Sequence, residues 1–172
     1  MTTRMSSPRC AAALTDTAMV YSRHKPETAR WCVQAENERM HLLTFLQMKQ
    51  PGLLMRGLVL ATQGIFCNLF FLSYLFSPTY CHRMVGYLEE EAVKTYTHLL
   101  HDIDTGRLPE WTDAPAPDIA VKYWRLDADA TVRDLVLAVR ADEACHSHVN
   151  HTFAGMKHDE SNPFSSGSHT VP

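Results

Sequence analysis

Two Glu-x-x-His pairs, Glu38/His41 and Glu143/His146, stand 105 residues apart, with the run Leu-Glu-Glu-Glu-Ala-Val over Leu88–Val93 roughly midway between them. Residues three apart on a helix share a face, so each pair can present a carboxylate and an imidazole to the same metal ion. Carboxylate with imidazole suits iron or manganese better than a metal selected by thiolates. The same carboxylates can bridge two ions, which dioxygen reduction by paired irons requires. Zinc is the rival on ligand type alone, and His148 and His151 beside the second pair could feed such a site. One such pair is a weak signal in a chain with ten histidines. Two copies with an acidic triplet between them are much harder to obtain by chance.

The triplet Glu89-Glu90-Glu91 reads either as a solvated helix face or as the source of a further ligand. Tyr87, Leu88, Ala92, Val93 and Tyr96 surround it, so one of the three carboxylates is expected to face the core. Tyr96 follows Glu89 by two helical turns and shares its face. There it could be redox-active, or a core tyrosine with a satisfied hydroxyl. Asn37 and Asp142, each immediately before the glutamate of a pair, could fix the ligand histidines by hydrogen bonds, as metal-bound imidazoles require.

Helices must carry these residues. Apolar positions at three- and four-residue steps predict a helix over Glu27–Gln50, which Pro51-Gly52 stops. Leu53–Phe76 is a second, almost wholly apolar helix. Pro78 suits the first turn of a third, which runs to about Asp104, where Gly106 and Pro109 end it. Leu108–Asp118, with three prolines, reads as a connector, followed by a short helix around Ile119–Leu126 and a long one from Thr131 to about Gly155. No segment has strand period. The domain reading is a disordered lead or targeting segment over 1–25, a helical domain over 26–156 and a disordered tail over 157–172.

The chain is long enough for one compact domain, and 45% apolar residues suffice for its core. A net charge of -3 with scattered lysines and arginines argues against a nucleic-acid partner. Five cysteines without Cys-x-x-Cys spacing argue against a disulfide framework or zinc ribbon and fit a reducing compartment. The first fifteen residues hold Arg4, Arg9 and five Ser or Thr, with no acidic residue before Asp16. That is the composition of a mitochondrial transit peptide, although Pro8 interrupts any amphipathic helix there.

Gly57–Phe76 is twenty residues without a charge, long enough to cross a bilayer. Antiparallel neighbours would set Glu38 and Glu89 near its midpoint, at bilayer depth, where each charge costs at least about 2.5 kcal/mol. A helix lying in the membrane interface is therefore the cheaper arrangement, with Phe70, Phe71, Tyr74 and Phe76 among the headgroups. A buried core helix is the other reading.

Several blocks together resemble the alternative oxidases: Asn-Glu-Arg-Met-His (Asn37–His41), Leu-Glu-Glu-Glu-Ala-Val (Leu88–Val93), Arg-Ala-Asp-Glu-Ala-Cys-His (Arg140–His146) and Val-Asn-His (Val149–His151). Lys122-Tyr123-Trp124-Arg125-Leu126 and the Gln50-Pro51-Gly52 break are similar too, so that the likeness runs over about residues 35–156. The resemblance implies an all-α, ferritin-like di-iron carboxylate four-helix bundle, here incomplete at its N-terminus, in an interfacial (monotopic) membrane protein. It implies a ubiquinol:oxygen oxidoreductase with two non-haem, carboxylate-bridged iron ions, which reduces dioxygen to water in the presence of cyanide and pumps no protons. Its expected setting is the matrix side of the mitochondrial inner membrane, as a homodimer; a plastid plastoquinol oxidase is a close relative in chemistry.

By motif, Glu38, His41, Glu89, Glu143 and His146 would be iron ligands and Tyr96 the redox-active tyrosine. Asn37, Trp124 and Asp142 would form the hydrogen-bonded surroundings. Phe66, Leu88, Glu91, Ala92 and Thr95 would line the quinol pocket. The family's remaining ligand, a glutamate on an earlier helix, would fall before Met1 when counted back from Glu38; Glu27 and Glu36 belong to the Glu38 helix itself. The alternative expectation is therefore a truncated, non-catalytic, membrane-associated chain of the same fold that binds iron poorly.

Overall fold

The computed structural model describes residues 26–157 together with 159, 160, 163 and 164. The expected lead over 1–25 and the rest of the tail lie outside the described residues. Helix α1 runs Pro26–Met48, α2 Leu53–Phe76, α3 Pro78–Asp104, α4 Pro109–Thr112, α5 Asp118–Trp124 and α6 Val132–Gly155. Two units are distinguished, Met40–Met156 and Met1–Arg39 with Lys157–Pro172, so that α1 begins in the second and ends in the first. Among the described residues there is no strand. The pairing of that kind among them is an isolated antiparallel bridge between Pro115 and Thr131.

Local chemistry sets the breaks. Pro51 and Gly52 separate α1 from α2, and Ser77 closes α2 while opening α3: its hydroxyl accepts from the Tyr80 N–H at 3.3 Å, with Pro78 in the first turn. Gly106, at φ 70°, follows the end of α3 in the left-handed conformation that glycine adopts without a Cβ penalty. The proline-rich connector holds one short helical turn, α4, because Pro109 starts a turn as well as stopping one. The short helix ends at Trp124, two residues before the expected boundary, where Arg125 turns left-handed at φ 51°.

Within the unit Met40–Met156, α3 and α6 form the main packed pair. Val132, Leu135, Val136 and Val139 recur at three- and four-residue steps along α6 and are buried. Val132 and Val136 meet Leu100 and Ile103 of α3, while Leu135 and Val139 meet Ala116, Ala120 and Ala130 from around α5. The same stripe then continues as Glu143, His146, Ser147 and Asn150, all buried. The core of this pair passes directly into polar, metal-ligating residue types.

Helix α2 differs in kind. None of its residues is buried within this chain, where the core-helix reading of Leu53–Phe76 expected burial. It is the one helix among the described residues long and apolar enough to cross a membrane.

Candidate metal centre

Glu89 on α3 and Glu143 and His146 on α6 each offer a ligand atom, and these atoms lie within 4.8 Å of one another. His41, near the start of this unit's share of α1, sets its Nδ1 3.3 Å from Glu143 Oε1. Its Nε2–H donates to Asp142 Oδ2 at 3.3 Å, and the same oxygen accepts from Trp124 Nε1–H at 2.7 Å. The Trp124 ring also stacks on His41, with centroids 5.7 Å apart. One carboxylate oxygen thus fixes the imidazole plane from its edge while the indole fixes it from its face. With the proton on Nε2, Nδ1 is left facing Glu143.

Burial alone would raise the Glu143 pKa, but His146, His41 and the Glu89 carboxyl facing it outweigh burial and hold the group well below the ordinary carboxylate range. Its Oε2 is shut off from solvent and without a hydrogen-bond partner, with His146 Nδ1 3.8 Å away. That separation exceeds a hydrogen bond. An ionised, buried carboxylate oxygen standing off from its nitrogen neighbours, beside a second carboxylate, fits a cation. The donor set, carboxylates with imidazoles and no thiolate, fits iron, manganese or zinc.

Glu38 precedes His41 by one turn on α1, so the two share a helix face, as the spacing requires. Asn37 is buried on the same helix. Glu36 is held by Arg39, whose Nε donates to it at 2.8 Å. Of the acidic triplet, Glu89 joins the cluster, Glu90 accepts from His151 Nε2 at 2.9 Å, and Glu91 pairs with Lys94 at 2.6 Å. Tyr96 is partly buried beyond the cluster and stacks on Phe45 at 6.1 Å. Leu88, Glu91 and Thr95 are exposed on α3 with Ala92 half-buried among them, and Phe66 is exposed on α2, stacked on Phe70 at 5.9 Å.

The zinc alternative loses one of its contributors. His151 is engaged by Glu90 and by Arg83 Nη1, which lies 3.3 Å from its Nδ1, and it stands outside the cluster of ligand atoms. Sequence reasoning missed the polar seam beyond the ligands. Ser147 Oγ donates to Gly86 O at 3.1 Å, and Asn150 Nδ2 donates to His146 O at 2.9 Å. Asn150 Oδ1 also meets His82 Nδ1 at 3.1 Å. The available signal was the continuation of the α6 stripe at 147, 150 and 151. Among the described residues, Cys67 and Cys81 are free.

The family model described as Alternative oxidase matches residues 11–155. The chain is similar to the "Alternative oxidase, mitochondrial" of Cryptococcus neoformans var. grubii, with 58% identity over 132 residues, 76% of this chain and 33% of the relative. Against that of Emericella nidulans it has 59% identity over 133 residues, 76% of this chain and 38% of the relative. Against the "Alternative oxidase 1, mitochondrial" of Candida albicans it has 51% over 134 residues, 76% and 35% respectively. It therefore spans between 33% and 38% of the length of these curated relatives. By the extent of these matches, this chain belongs to the alternative oxidase family.

Proposed function

We propose that the chain carries the di-iron centre of a ubiquinol:oxygen oxidoreductase, with Glu38, His41, Glu89, Glu143 and His146 as its ligands. The observation that carries this reading is the convergence of Glu89, Glu143 and His146 ligand atoms within 4.8 Å, with His41 beside Glu143. Two bound irons would supply the redox chemistry that joins quinol oxidation to the reduction of dioxygen to water. The protein's part is positional. Asp142 and Trp124 hold the His41 ring with Nδ1 turned towards the carboxylates, as imidazole ligands require. Burial of His41, Glu143 and His146 shields these side chains from water.

Tyr96, two turns beyond Glu89 on α3, is the proposed redox-active side chain, and Phe66, Leu88, Glu91, Ala92 and Thr95 the proposed quinol contacts. The exposed apolar surface of α2 supports a chain lying in one leaflet beside a lipid-soluble substrate. The relatives' mitochondrial names support a mitochondrial setting; the matrix face of the inner membrane and assembly as a homodimer belong to the same proposal.

Oxygen uptake by the purified, iron-reconstituted chain on a short-chain ubiquinol, with cyanide present, tests the activity. Cyanide-resistant uptake is expected. Bound iron without uptake would leave a metal-binding chain that does not turn over, and the activity assigned to it would fall.

A further inference from the structure

Gly86 lies one turn before Glu89 on α3, and Ser147 and His151 follow His146 on α6. A glycine inside a helix weakens it relative to alanine, so its presence there calls for a packing reason. The reason is the His151 ring. A Cβ built at position 86 would stand 2.8 Å from His151 Cε1 and 2.9 Å from both ring nitrogens.

The ring is held by four residues of α3. An arginine N–H can only donate, so Arg83 Nη1 donates to Nδ1 at 3.3 Å, and Nε2 carries the proton given to Glu90 at 2.9 Å. Tyr87 meets the ring edge-on at 5.0 Å between centroids, and Arg83 Nη2 is tied to Ala154 O at 3.3 Å. Arg83, Gly86, Tyr87 and Glu90 follow at three- and four-residue steps, so one face of α3 forms a socket for one side chain of α6. Below it, Ser147 Oγ donates to the carbonyl oxygen of Gly86 itself.

We propose that Gly86, Ser147 and His151 form a latch that fixes the spacing and register of α3 on α6 and so positions Glu89 against Glu143 and His146. These are positioning residues, and the inference rests on the metal reading of that cluster. Packed helices can slide or part along their ridges. A ligand set within 4.8 Å tolerates little of either. The latch sits one turn from Glu89 and beside His146, where a shift between the helices is passed to the ligands with least loss.

Cobalt(II) titration of the full chain, followed by its visible absorption bands, is paired with thermal unfolding of the metal-free chain. Gly86→Ala is expected to weaken cobalt binding about tenfold, as loss of a metal site's supporting contacts does, and to lower the melting temperature. In a His151→Ala background the sign reverses: the same Gly86→Ala raises the melting temperature, because alanine is the better helix former once the ring is gone, and cobalt affinity falls no further. Ser147→Ala, which removes one hydrogen bond, is expected to weaken cobalt binding less and to shift the absorption bands. It keeps the test open if Gly86→Ala does not fold. Melting changes with unaltered cobalt affinity and spectrum in all variants would overturn the latch while leaving the metal reading intact. A parent chain that binds no cobalt would overturn the metal reading, and the positioning role with it.

Discussion

A single oxygen, Asp142 Oδ2, receives both the Trp124 indole N–H at 2.7 Å and the His41 Nε2–H at 3.3 Å. This arrangement sets which His41 nitrogen faces Glu143, and replacing the indole should disturb it without emptying the site of ligands. Trp124→Phe keeps a ring against His41 but deletes the donor. It should lower metal affinity by about tenfold while the far-ultraviolet circular dichroism stays that of the parent chain; equal affinity in a metal titration would remove Trp124 from the account. The Glu-x-x-His pairs were legible in the sequence because residues three apart on a helix share a face in any fold. That one glutamate of the triplet turns inward was legible from its apolar neighbours. Which of the three it is was not legible from spacing alone and came only from the motif's resemblance to the alternative oxidases; in the fold Glu90 and Glu91 are set apart by His151 and Lys94 as partners. The contact between Gly86 and His151 depends on how α3 registers on α6, which spacing along the chain does not encode.

Helix α6 carries two members of the cluster, and its start is fastened separately from them. The Asp134 carboxylate accepts from both the Thr131 backbone N–H and its hydroxyl, each at 2.9 Å. Asp134→Ala should cost about 1 kcal/mol of stability, read as a lower urea midpoint. Its effect should stop there, because the cap is two helical turns or more before Glu143. Loss of metal binding in that variant would mean that the helix frays as far as the site. The long helices were legible because Leu and Val at three- and four-residue steps mark α6, and Pro51-Gly52 and Pro78 mark the breaks. Helix α4 was hidden because Pro109 reads equally as a stop and as a first-turn residue. The end of α5 was hidden because Arg125 takes a left-handed φ of 51° without the glycine or asparagine that usually signals it.

Across the whole chain, the apolar α2 and the polar cluster on α3 and α6 make opposite demands on solvent. Leu60 and Ile65 are 68% and 65% exposed, with no buried residue anywhere on their helix. Such surface is expected to find lipid. Leu60→Asp with Ile65→Asp should reduce flotation with phosphatidylcholine and cardiolipin vesicles more than tenfold, since each side chain withdrawn from an apolar phase forfeits about 1.5–3 kcal/mol. Undiminished flotation would assign membrane attachment elsewhere. The length and apolarity of α2 were legible, and the charges its neighbours would carry to bilayer depth favoured the interface over a span; composition alone did not separate an interfacial helix from a core one. The proposed account as a whole stands on metal held by His41, Glu89, Glu143 and His146. Iron per chain, measured after anaerobic reconstitution and desalting on the parent and on Glu143→Gln, tests it most directly. Two irons retained by the parent and lost from the variant is the predicted result; a parent chain that retains no more iron than Glu143→Gln would contradict it.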